Sequence, residues 1–378
     1  MVVDGEAIQP IQRIARLTSL AVVLARIDAL VPPVAAREVA LAAAVGRVLA
    51  GDVVAAARPR VALALRDGWA VNSALTQDAS PYAPAALPSA IQIEAGVPLP
   101  AGADAVAEVD AVTLREGRAE AVAAITCGES VLPPGADADG ATALGRDGRR
   151  LYAVAAAALA AAGISRINVR EPRVLVLRVK PAGDPIIDAA AALVAHGIAA
   201  AGGVALSDAS GDGLRLEDAL RRQDADAVVA IGGTGSGRND TSVATLARLG
   251  QVEAHGIALS PGETTAFGLL ETRPVLLLPG RLDGALAAWL LLGERMLARL
   301  TGSREELRFV TARLSRKVAS NLGLAELIPV RLREGEAEPL GSGYLPLHTI
   351  AQADGWILVA PDREGHPEGA SVMVRFWP

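Results

Sequence analysis

One stretch of the sequence, from Asp226 to Asp240, constrains the fold more than any other part of the chain. It opens with the apolar run Ala227 to Ile231, which has the length and composition of a strand buried on both faces. The run breaks into Gly232-Gly233-Thr234-Gly235-Ser236-Gly237, and a helix is predicted from Thr241 to Leu249. Four glycines in six residues let the backbone adopt positive φ and pass close to a ligand. A strand, a glycine loop and a helix start in this order aim backbone N–H groups at an anion such as phosphate.

The stretch has two interpretations. It matches neither the dinucleotide-binding pattern G-x-G-x-x-G, with its downstream acid, nor the P-loop pattern G-x-x-x-x-G-K-[ST]. In one interpretation it is a tight turn between a strand and a helix, with Asp240 as a capping residue. In the other it is an anion site, and Asp240 caps the helix or holds a metal ion.

A second glycine-containing loop favours the anion site. Leu278-Pro279-Gly280-Arg281 follows the apolar run 274–278 and precedes a predicted helix over 283–300. Parallel sheets bind their ligands in the crevice at the carboxyl ends of the strands. We therefore expect the first glycine loop, residues 232–237, and the second glycine loop, residues 278–281, to line one crevice.

Charge and cysteine content exclude several classes of function. The net charge of −6 and the pI near 5.4 argue against nucleic acid or an anionic membrane as a general partner. An anionic ligand therefore needs a local basic pocket, and nearly all basic residues are Arg, the lysines being Lys180 and Lys317. Arg grips phosphate or carboxylate with a forked geometry but does not act as a general base. The single Cys127 excludes an intrachain disulfide and a Cys-based zinc cluster, and we expect a buried structural thiol.

Neither a histidine metal site nor a membrane segment is expected. The four histidines show no H-x-x-x-H spacing, so none is expected to be a ligand or a base: His196, His255, His348 and His366. The first residues carry no basic or apolar signal region. The longest apolar stretches, 152–162 and 284–292, fall short of the ~20 residues that span a membrane. We expect a cytoplasmic protein.

The first third of the chain predicts helices followed by short strands. At 378 residues, two to four domains are expected. Apolar residues from Ile11 to Ile27 recur at helical spacing, Ser19 is a candidate cap, and a second, Ala-rich helix is predicted over 38–49. Over 52–138, short apolar runs alternate with turn residues, which predicts a small β domain.

The rest of the chain predicts an α/β domain followed by a second β region. After an Ala-rich helix over 152–163, strands and helices alternate from 173 to 302, which predicts a three-layer domain with a mostly parallel sheet. Its other predicted elements are strands at 174–179, 202–206, 252–257 and 267–270, and helices at 187–196, ended by Gly197, and at 213–222. Strands return after Ser303, at 308–314, 327–332, 356–360 and 371–376, and predict a small closing β domain or barrel.

In the order of these segments and in several motifs, the chain resembles the MoeA family of molybdopterin molybdenumtransferases, which includes the gephyrin E domain. The matching stretches are Gly46–Asp52, Asp67–Val71, Gly96–Val106, Gly232–Asp240, Pro279-Gly280 and Ala353–Gly355. The Gly232–Asp240 loop is also similar to the G-G-T-G-x-x-x-x-D loop of MogA/MoaB-type proteins. The resemblance covers nearly the whole chain.

The resemblance implies a multidomain α/β and β fold with a central MogA/MoaB-like α/β domain. It divides the chain into a helical dimerisation or linker domain (1–51 with 139–171), a small β domain (52–138), a molybdopterin-binding domain (172–302) and a C-terminal β-barrel-like domain (303–378). It implies an elongated homodimer that inserts molybdate into adenylylated molybdopterin with the help of Mg²⁺, in a cleft closed by the partner subunit. A molybdoenzyme or a MogA-like protein is a further possible partner. The alternative is a catalytically silent molybdopterin carrier or a scaffold paralogue.

The resemblance also implies the site residues. It assigns catalytic roles to Asp67, Asp137 and Asp240, and metal binding to Asp240. It assigns the ligand-binding residues Gly232, Gly233, Thr234, Gly235, Ser236, Gly237, Arg238, Pro279, Gly280 and Arg281.

The sequence departs from the family pattern at charged positions. The family segment K-P-G-K-P reads Ser260-Pro-Gly-Glu263-Thr264, so both lysines are absent and one position carries the opposite charge. The family's S-A-M-D-G-Y reads Ala64 to Trp69, and L-P-G-N-P reads Leu278 to Leu282. We expect Arg238 and Arg281 to supply the compensating positive charge.

Overall fold

A six-stranded sheet with helices on both faces forms the centre of the computed structural model, which describes residues 12–179, 183–207 and 215–378. In spatial order its strands are Val204–Ser207, Arg173–Arg178, Ala227–Ile231, Arg273–Leu278, Ala266–Leu270 and Gln251–His255. The first four run parallel to one another. Ala266–Leu270 pairs antiparallel with Arg273–Leu278 on one side and with Gln251–His255 on the other. Two antiparallel joints in succession make Gln251–His255 parallel to the first four strands. Five strands therefore end at the same edge of the sheet.

The strand Ala227–Ile231 shows why the domain has three layers. All five of its residues are buried, and their side chains alternate between the two faces. Val229 and Ile231 pack in one apolar cluster, whereas Val228 and Ala230 pack in the other. Burial on both faces explains the unbroken apolar run in the sequence. The three-layer α/β domain is confirmed.

A tryptophan explains an error in the predicted helix over 187–196. The helix runs from Pro185 to Ala200, capped by the Asp184 carboxylate, and does not end at Gly197. A Cβ on Gly197 would lie 2.5 Å from the indole nitrogen of the fully buried Trp289. Gly197 therefore makes room for Trp289 in mid-helix.

The helices of the described chain are between 4 and 16 residues long, and none is long and apolar enough to cross a bilayer. They are Leu20–Leu30, Leu41–Ala44, Ala153–Ala161, Pro185–Ala200, Leu216–Arg221, Ser242–Leu249, Leu282–Ala288, Glu294–Thr301 and Leu347–Gln352. A π-helical segment, Trp289–Gly293, joins the seventh and eighth, so the predicted helix over 283–300 is interrupted.

The N-terminal part is less helical than predicted. Ser19 caps the helix Leu20–Leu30, accepting a hydrogen bond from the Val22 N–H at 3.4 Å, but residues 12–17 are not helical and Ile11 lies outside the described residues. The helix predicted over 38–49 is wrong. Arg37–Ala40 instead pairs antiparallel with Arg166–Arg170, and only Leu41–Ala44 is helical. Strand pairing between distant segments overrides the helix propensity of the alanines.

The region 52–138 consists of short paired strands, as predicted. The described strands outside the central sheet and before residue 150 are Thr18–Ser19, Arg37–Ala40, Val48–Leu49, Val53–Val54, Leu63–Ala64, Gly68–Val71, Ala85–Ala86, Ile91–Ile93, Ala105–Ala107, Val112–Arg115, Arg118–Ala121, Val131–Leu132 and Ala143–Gly145. Apolar side chains such as Val71 and Val112 form a separate small core there.

The C-terminal region closes into a five-stranded barrel. Its strands, in order around the barrel, are Ala325–Arg333, Glu336–Pro339, Val310–Leu314, Ser371–Phe376 and Gly355–Val359. Pairing of Gly355–Val359 with Ala325–Arg333 completes the closure. Two short strands, Val318–Ala319 and Gly365–His366, pair beside it. The predicted closing β domain is thus confirmed as a barrel.

One strand connects the three parts of the fold. Ile257–Ser260 pairs parallel with Thr18–Ser19 on one side. On the other side it pairs parallel with the start of the barrel strand, Leu259 with Ala325 and Ser260 with Glu326. This connecting strand leads directly into residues 261–265, which lie at the site described below.

Candidate functional site

The structure brings the two glycine loops together at the edge where the strands end. The Gly232 N–H donates a hydrogen bond to the Leu278 carbonyl at 2.9 Å. A Cβ on Gly280 would lie 3.5 Å from the Cα of Gly232, so the two backbones are neighbours. Gly232 and Gly233 both adopt positive φ, at 101° and 72°, which explains why glycine stands at these positions.

Asp240 closes the first glycine loop on itself. Its Oδ2 accepts a hydrogen bond from the Gly237 N–H at 2.9 Å. A Cβ on Gly235 or Gly237 would lie 2.8 or 2.9 Å from that oxygen. The following helix, Ser242–Leu249, has no side-chain hydrogen bond at its cap position. Asp240 therefore shapes the loop and does not cap the helix.

Gln12 ties the loop to a segment far away in sequence. Its side-chain amide donates to the carbonyls of Gly233 and Gly235 at 2.9 and 2.7 Å. Its Oε1 accepts a 3.4 Å hydrogen bond from the N–H of Ala244, in the first turn of the helix, where N–H groups have no partner within the helix. Sequence reasoning missed Gln12, because no local pattern marks it.

Two threonines and a histidine complete this part of the site. The buried Thr234 contacts Thr264 through their hydroxyl groups at 2.9 Å. His255 Nε2 lies 3.1 Å from the Thr234 carbonyl oxygen. His255 was not expected at the site, but it ends the strand Gln251–His255, whose carboxyl end lies at the same sheet edge. The order of the strands in the sheet would have pointed to His255, but no pattern in the sequence reveals that order.

Beside the loops lies a polar cavity of about 480 Å³ between the α/β domain and the barrel. Glu263 and Thr264 contribute to one part of its wall and Arg281 to another, and Tyr344 comes from the barrel side. The full lining is Ser260, Pro261, Gly262, Glu263, Thr264, Pro279, Arg281, Asp283, Gly284, Asn321, Leu324, Gly343 and Tyr344.

Arg281 is held in place by a buried carboxylate. Its Nε and Nη2 donate to the two oxygens of Asp283 at 3.0 and 2.5 Å. Asp283 also accepts hydrogen bonds from the N–H groups of Gly284 and Leu345, at 2.8 and 3.2 Å. The guanidinium carbon lies 4.6 Å from the centre of the Tyr344 ring. The arginine predicted at the second glycine loop is therefore already paired.

These contacts shift both pKa values. Burial raises the pKa of the Asp283 carboxyl, but the hydrogen bonds from Arg281 and from the two backbone N–H groups outweigh burial, and the net pKa is lowered. The hydrogen bond to Asp283 raises the pKa of Arg281, and the nearby charge of Glu263 acts in the same direction. Both groups are therefore charged at neutral pH.

The charge balance of the cavity differs from the expected basic pocket. Arg281 is neutralised by Asp283, and Glu263, whose Oε2 accepts from the Gly262 N–H at 3.2 Å, adds a negative charge. Arg238 is exposed, and no hydrogen bond or ion pair joins it to another described residue. Of the two arginines expected to compensate for the missing lysines, Arg238 alone has an unmatched charge.

Asp67 and Asp137 lie elsewhere, in the small β domain. Asp67 accepts a hydrogen bond from the Ala95 N–H at 2.8 Å, and Asp137 donates its own N–H to the Arg58 carbonyl. Both side chains are exposed, and within residues 12–179, 183–207 and 215–378 neither bonds to a glycine loop. The expected burial of Cys127 is wrong: its thiol is exposed and bonds to Asp104.

No group of three His, Cys, Asp or Glu side chains in the described parts of the chain is arranged to hold a metal ion. Asp240, three residues after the first glycine loop, is the one carboxylate between Gly232 and Thr241, and its Oδ2 accepts a hydrogen bond from the Gly237 N–H. Mg²⁺ is commonly held by one or two carboxylates together with the phosphates of a substrate. The single Asp240 carboxylate therefore fits a Mg²⁺ ion whose other ligands come from a phosphate and from water.

The sequence matches family models along most of its length. Residues 18–163 match the MoeA N-terminal region (domain I and II), residues 184–299 a probable molybdopterin binding domain, and residues 311–377 the MoeA C-terminal region (domain IV). The match to the first model begins at Thr18, so Gln12 lies ahead of the residues that this model matches.

Individual relatives agree with the family models. Molybdopterin molybdenumtransferase 1 of Mycobacterium tuberculosis is 26% identical over 320 residues, which cover 76% of this chain and 74% of that protein. A Methanocaldococcus jannaschii protein named for molybdopterin biosynthesis is 32% identical over 152 residues, 39% of this chain and only 36% of its own length. The structure of a molybdopterin biosynthesis MoeA protein from Pyrococcus horikoshii has a TM-score of 0.79 at 27% identity, covering 96% of this chain and 99% of that one. The chain therefore belongs to the MoeA family of molybdenum cofactor biosynthesis proteins.

Proposed function

We propose that this protein binds adenylylated molybdopterin at the two glycine loops and inserts molybdenum from molybdate into it. The observation that carries the proposal is the meeting of the loops at the carboxyl ends of two adjacent parallel strands, Ala227–Ile231 and Arg273–Leu278. Ligands bind at this edge of parallel sheets. The helix Ser242–Leu249 begins at the same place and favours an anion there.

In this proposal the first glycine loop holds the phosphate end of the ligand. Its backbone supplies N–H donors, and the unmatched charge of Arg238 offsets negative charge on phosphate and on the incoming molybdate. Asp240 would hold a Mg²⁺ ion, and that ion would supply positive charge to the phosphate. His255, whose ring contacts Thr234, is placed to exchange a hydrogen bond with the ligand.

The proposal extends to the assembly. We propose a homodimer in the cytoplasm, with the units 1–51 plus 139–171, 52–138, 172–302 and 303–378 as its domains. Asp67 and Asp137 then act from the small β domain of the partner subunit. This accounts for the finding that, among the described residues, neither side chain forms a hydrogen bond to a glycine loop of its own chain. A molybdoenzyme or a MogA-like protein delivers or receives the cofactor.

Calorimetry with molybdopterin, with and without adenylylation, tests the proposal. Asp240→Asn keeps the size of the side chain and removes its charge. We expect the wild type to bind adenylylated molybdopterin and to incorporate molybdenum when molybdate and Mg²⁺ are added. Asp240→Asn is expected to bind the ligand and to need at least tenfold more Mg²⁺ for incorporation. Binding without incorporation by the wild type would contradict the transferase activity, and the lack of any binding would contradict the pterin site.

A further inference from the structure

We propose that Glu263 recognises the pterin ring of the ligand by accepting hydrogen bonds from the ring N3–H and the 2-amino group. The carboxylate lines the cavity between the α/β domain and the barrel, next to Arg281 and Tyr344. The inference rests on the proposed function, since it assigns one end of the proposed ligand to this cavity.

The charges around the cavity argue against an oxyanion there. The positive charge of Arg281 is matched at 2.5 Å by Asp283, so Glu263 is the unbalanced charged group of the lining. A negatively charged ligand group in the cavity would be repelled by Glu263, because like charges repel strongly at short range in a partly desolvated site. The cavity therefore favours a group that offers N–H donors or positive charge.

A metal ion would supply positive charge, but this cavity, unlike the first glycine loop of the proposed function, offers no phosphate to complete the coordination of a single carboxylate. Among the residues that the structure describes, no third acidic, histidine or cysteine side chain joins Glu263 and Asp283 in a ligand cluster. Asp283 is moreover used by Arg281 and by two backbone N–H groups. A single available carboxylate is instead suited to a pair of N–H donors.

The pyrimidine edge of a pterin offers such a pair. Its N3–H and one N–H of the 2-amino group point the same way, in the forked geometry by which a guanidinium binds both oxygens of a carboxylate. Glu263 is half-buried, and the one hydrogen bond to its carboxylate in the described structure comes from the neighbouring Gly262 N–H. Acceptor positions on both oxygens remain for the ring.

The position of the carboxylate suits one ligand that reaches both sites. Thr264, the next residue, contacts Thr234 of the first glycine loop at 2.9 Å. A ring at Glu263 therefore lies beside a phosphate at the loop. On the barrel side, 63% of the Tyr344 surface is exposed, and its ring with the stacked Arg281 forms a flat wall. The volume of about 480 Å³ accommodates a small heterocycle.

Fluorescence titration with two free rings tests the inference. Pterin carries the 2-amino group, whereas lumazine carries a carbonyl oxygen in its place, which would face the carboxylate. Wild type, Glu263→Gln and the control Glu336→Gln, which removes an exposed charge on the barrel, are each titrated with both rings and with molybdopterin. We expect wild type and Glu336→Gln to prefer pterin over lumazine by at least tenfold. Glu263→Gln is expected to lose the preference and to bind molybdopterin at least tenfold more weakly.

Each outcome decides one question. Equal binding of the two rings by the wild type, no binding of pterin, or a preference retained in Glu263→Gln overturns the role of Glu263. If molybdopterin binds the wild type and Glu263→Gln equally, the proposed function stands and this inference falls. If the rings bind with a Glu263-dependent preference and molybdopterin does not bind, the ring site stands and the proposed function falls.

Discussion

Arg281 and Asp283 form a forked ion pair at 3.0 and 2.5 Å, in which the carboxylate is buried and the guanidinium extends towards solvent. Asp283 is 3% exposed and also accepts a hydrogen bond from the N–H of Leu345, in the segment that leads to the helix Leu347–Gln352. The pair therefore joins the second glycine loop to the C-terminal part of the chain. Because Asp283 neutralises Arg281, this arginine does not offer an unmatched positive charge to an anionic ligand.

The pair makes stability depend on pH. Because the pKa of Asp283 is lowered in the folded state, its contribution is present above the unfolded value of about 3.9 and is lost as pH falls through the folded value. We expect Asp283→Asn to destabilise the protein by about 2–3 kcal/mol at pH 7, the scale of a hydrogen bond to a charged group. Urea unfolding at pH 7 and at pH 3 checks this. If the free energies of unfolding of wild type and variant differ by as much at pH 3 as at pH 7, this account is contradicted. The control is Asp362→Asn, which removes an exposed carboxylate.

Reversing the charge of Glu263 is expected to create an oxyanion site. Glu263→Lys replaces a repulsion by an attraction beside a cavity in which Arg281 is already neutralised. Each charge–charge interaction amounts to about 4 kcal/mol at ~4 Å before screening by salt, so we expect molybdate affinity to rise at least tenfold. Equilibrium dialysis with molybdate measures it. Glu336→Lys, with the same change of net charge on the barrel, should leave the affinity unchanged; a similar rise in both variants would assign the effect to net charge alone.

The first glycine loop should be sensitive to single methyl groups. In Gly235→Ala the new Cβ meets Asp240 Oδ2 at 2.8 Å, and the carboxylate must move. We expect molybdopterin binding to weaken about tenfold, or 1.4 kcal/mol, because the loop shape depends on Asp240. In the Asp240→Ala background the same substitution should have little further effect. Gly341→Ala, whose Cβ has ordinary contacts from 3.6 Å outwards, is the matched control. An equal loss of binding in both backgrounds would show that the clash is not the cause.

Gln12 should protect one amide from hydrogen exchange. The Ala244 N–H lies in the first helical turn, and Gln12 Oε1 is the acceptor that the structure gives it. We expect Gln12→Ala to increase its exchange rate about tenfold, since a hydrogen bond contributes about 0.5–1.5 kcal/mol. Gln12→Glu keeps the oxygen that accepts from Ala244. It replaces the N–H donor with an oxygen, which the carbonyl oxygens of Gly233 and Gly235 repel. Residue-resolved exchange by NMR separates the two variants, and unchanged protection in Gln12→Ala would rule out the contact in solution.

The half-buried ion pair between Glu294 and Arg375 has the opposite pH dependence. Burial raises the pKa of Glu294, although Arg375, which also lies 5.5 Å over the Trp356 ring, acts against the shift. Removing the partner in Arg375→Met leaves the half-buried Glu294 carboxylate without its ion pair, so its pKa should rise further. We expect the free energy of unfolding to fall by about 3 kcal/mol at pH 8. The decrease should be smaller at pH 5, where the carboxyl is more readily protonated. Thermal unfolding at the two pH values measures it, and a loss that is larger at pH 5 would contradict this account.

The parts of the fold that follow from local pattern could be predicted. The strand Ala227–Ile231 and the helix Ser242–Leu249 lie where periodicity and the glycine loop place them. Residues 38–49 were predicted wrongly, because pairing with Arg166–Arg170 over more than a hundred residues decides their structure. Gly197 was read as a helix end, because its packing against Trp289 has no signature in its own neighbourhood.

The site shows the same division. The two glycine loops were predicted together, because strands that run parallel end at one edge. Gln12 and His255 were missed, since one arrives from the N-terminal segment and the other through the order of strands in the sheet. The pairing of Arg281 with Asp283 was not predicted, because the burial of the Asp283 carboxylate beside the arginine has no signature in the sequence.

The connecting strand Ile257–Ser260 has a mechanical consequence. It is fastened on one side to Thr18–Ser19 and on the other to Ala325–Glu326, each time through two residue pairs. The barrel is therefore not a freely moving lid. Opening the cavity by a hinge motion would require breaking the backbone hydrogen bonds beside Ser260. A force that pulls the barrel away from the α/β domain therefore acts on this short seam of two residue pairs and on the hydrogen bond between the Leu345 N–H and Asp283.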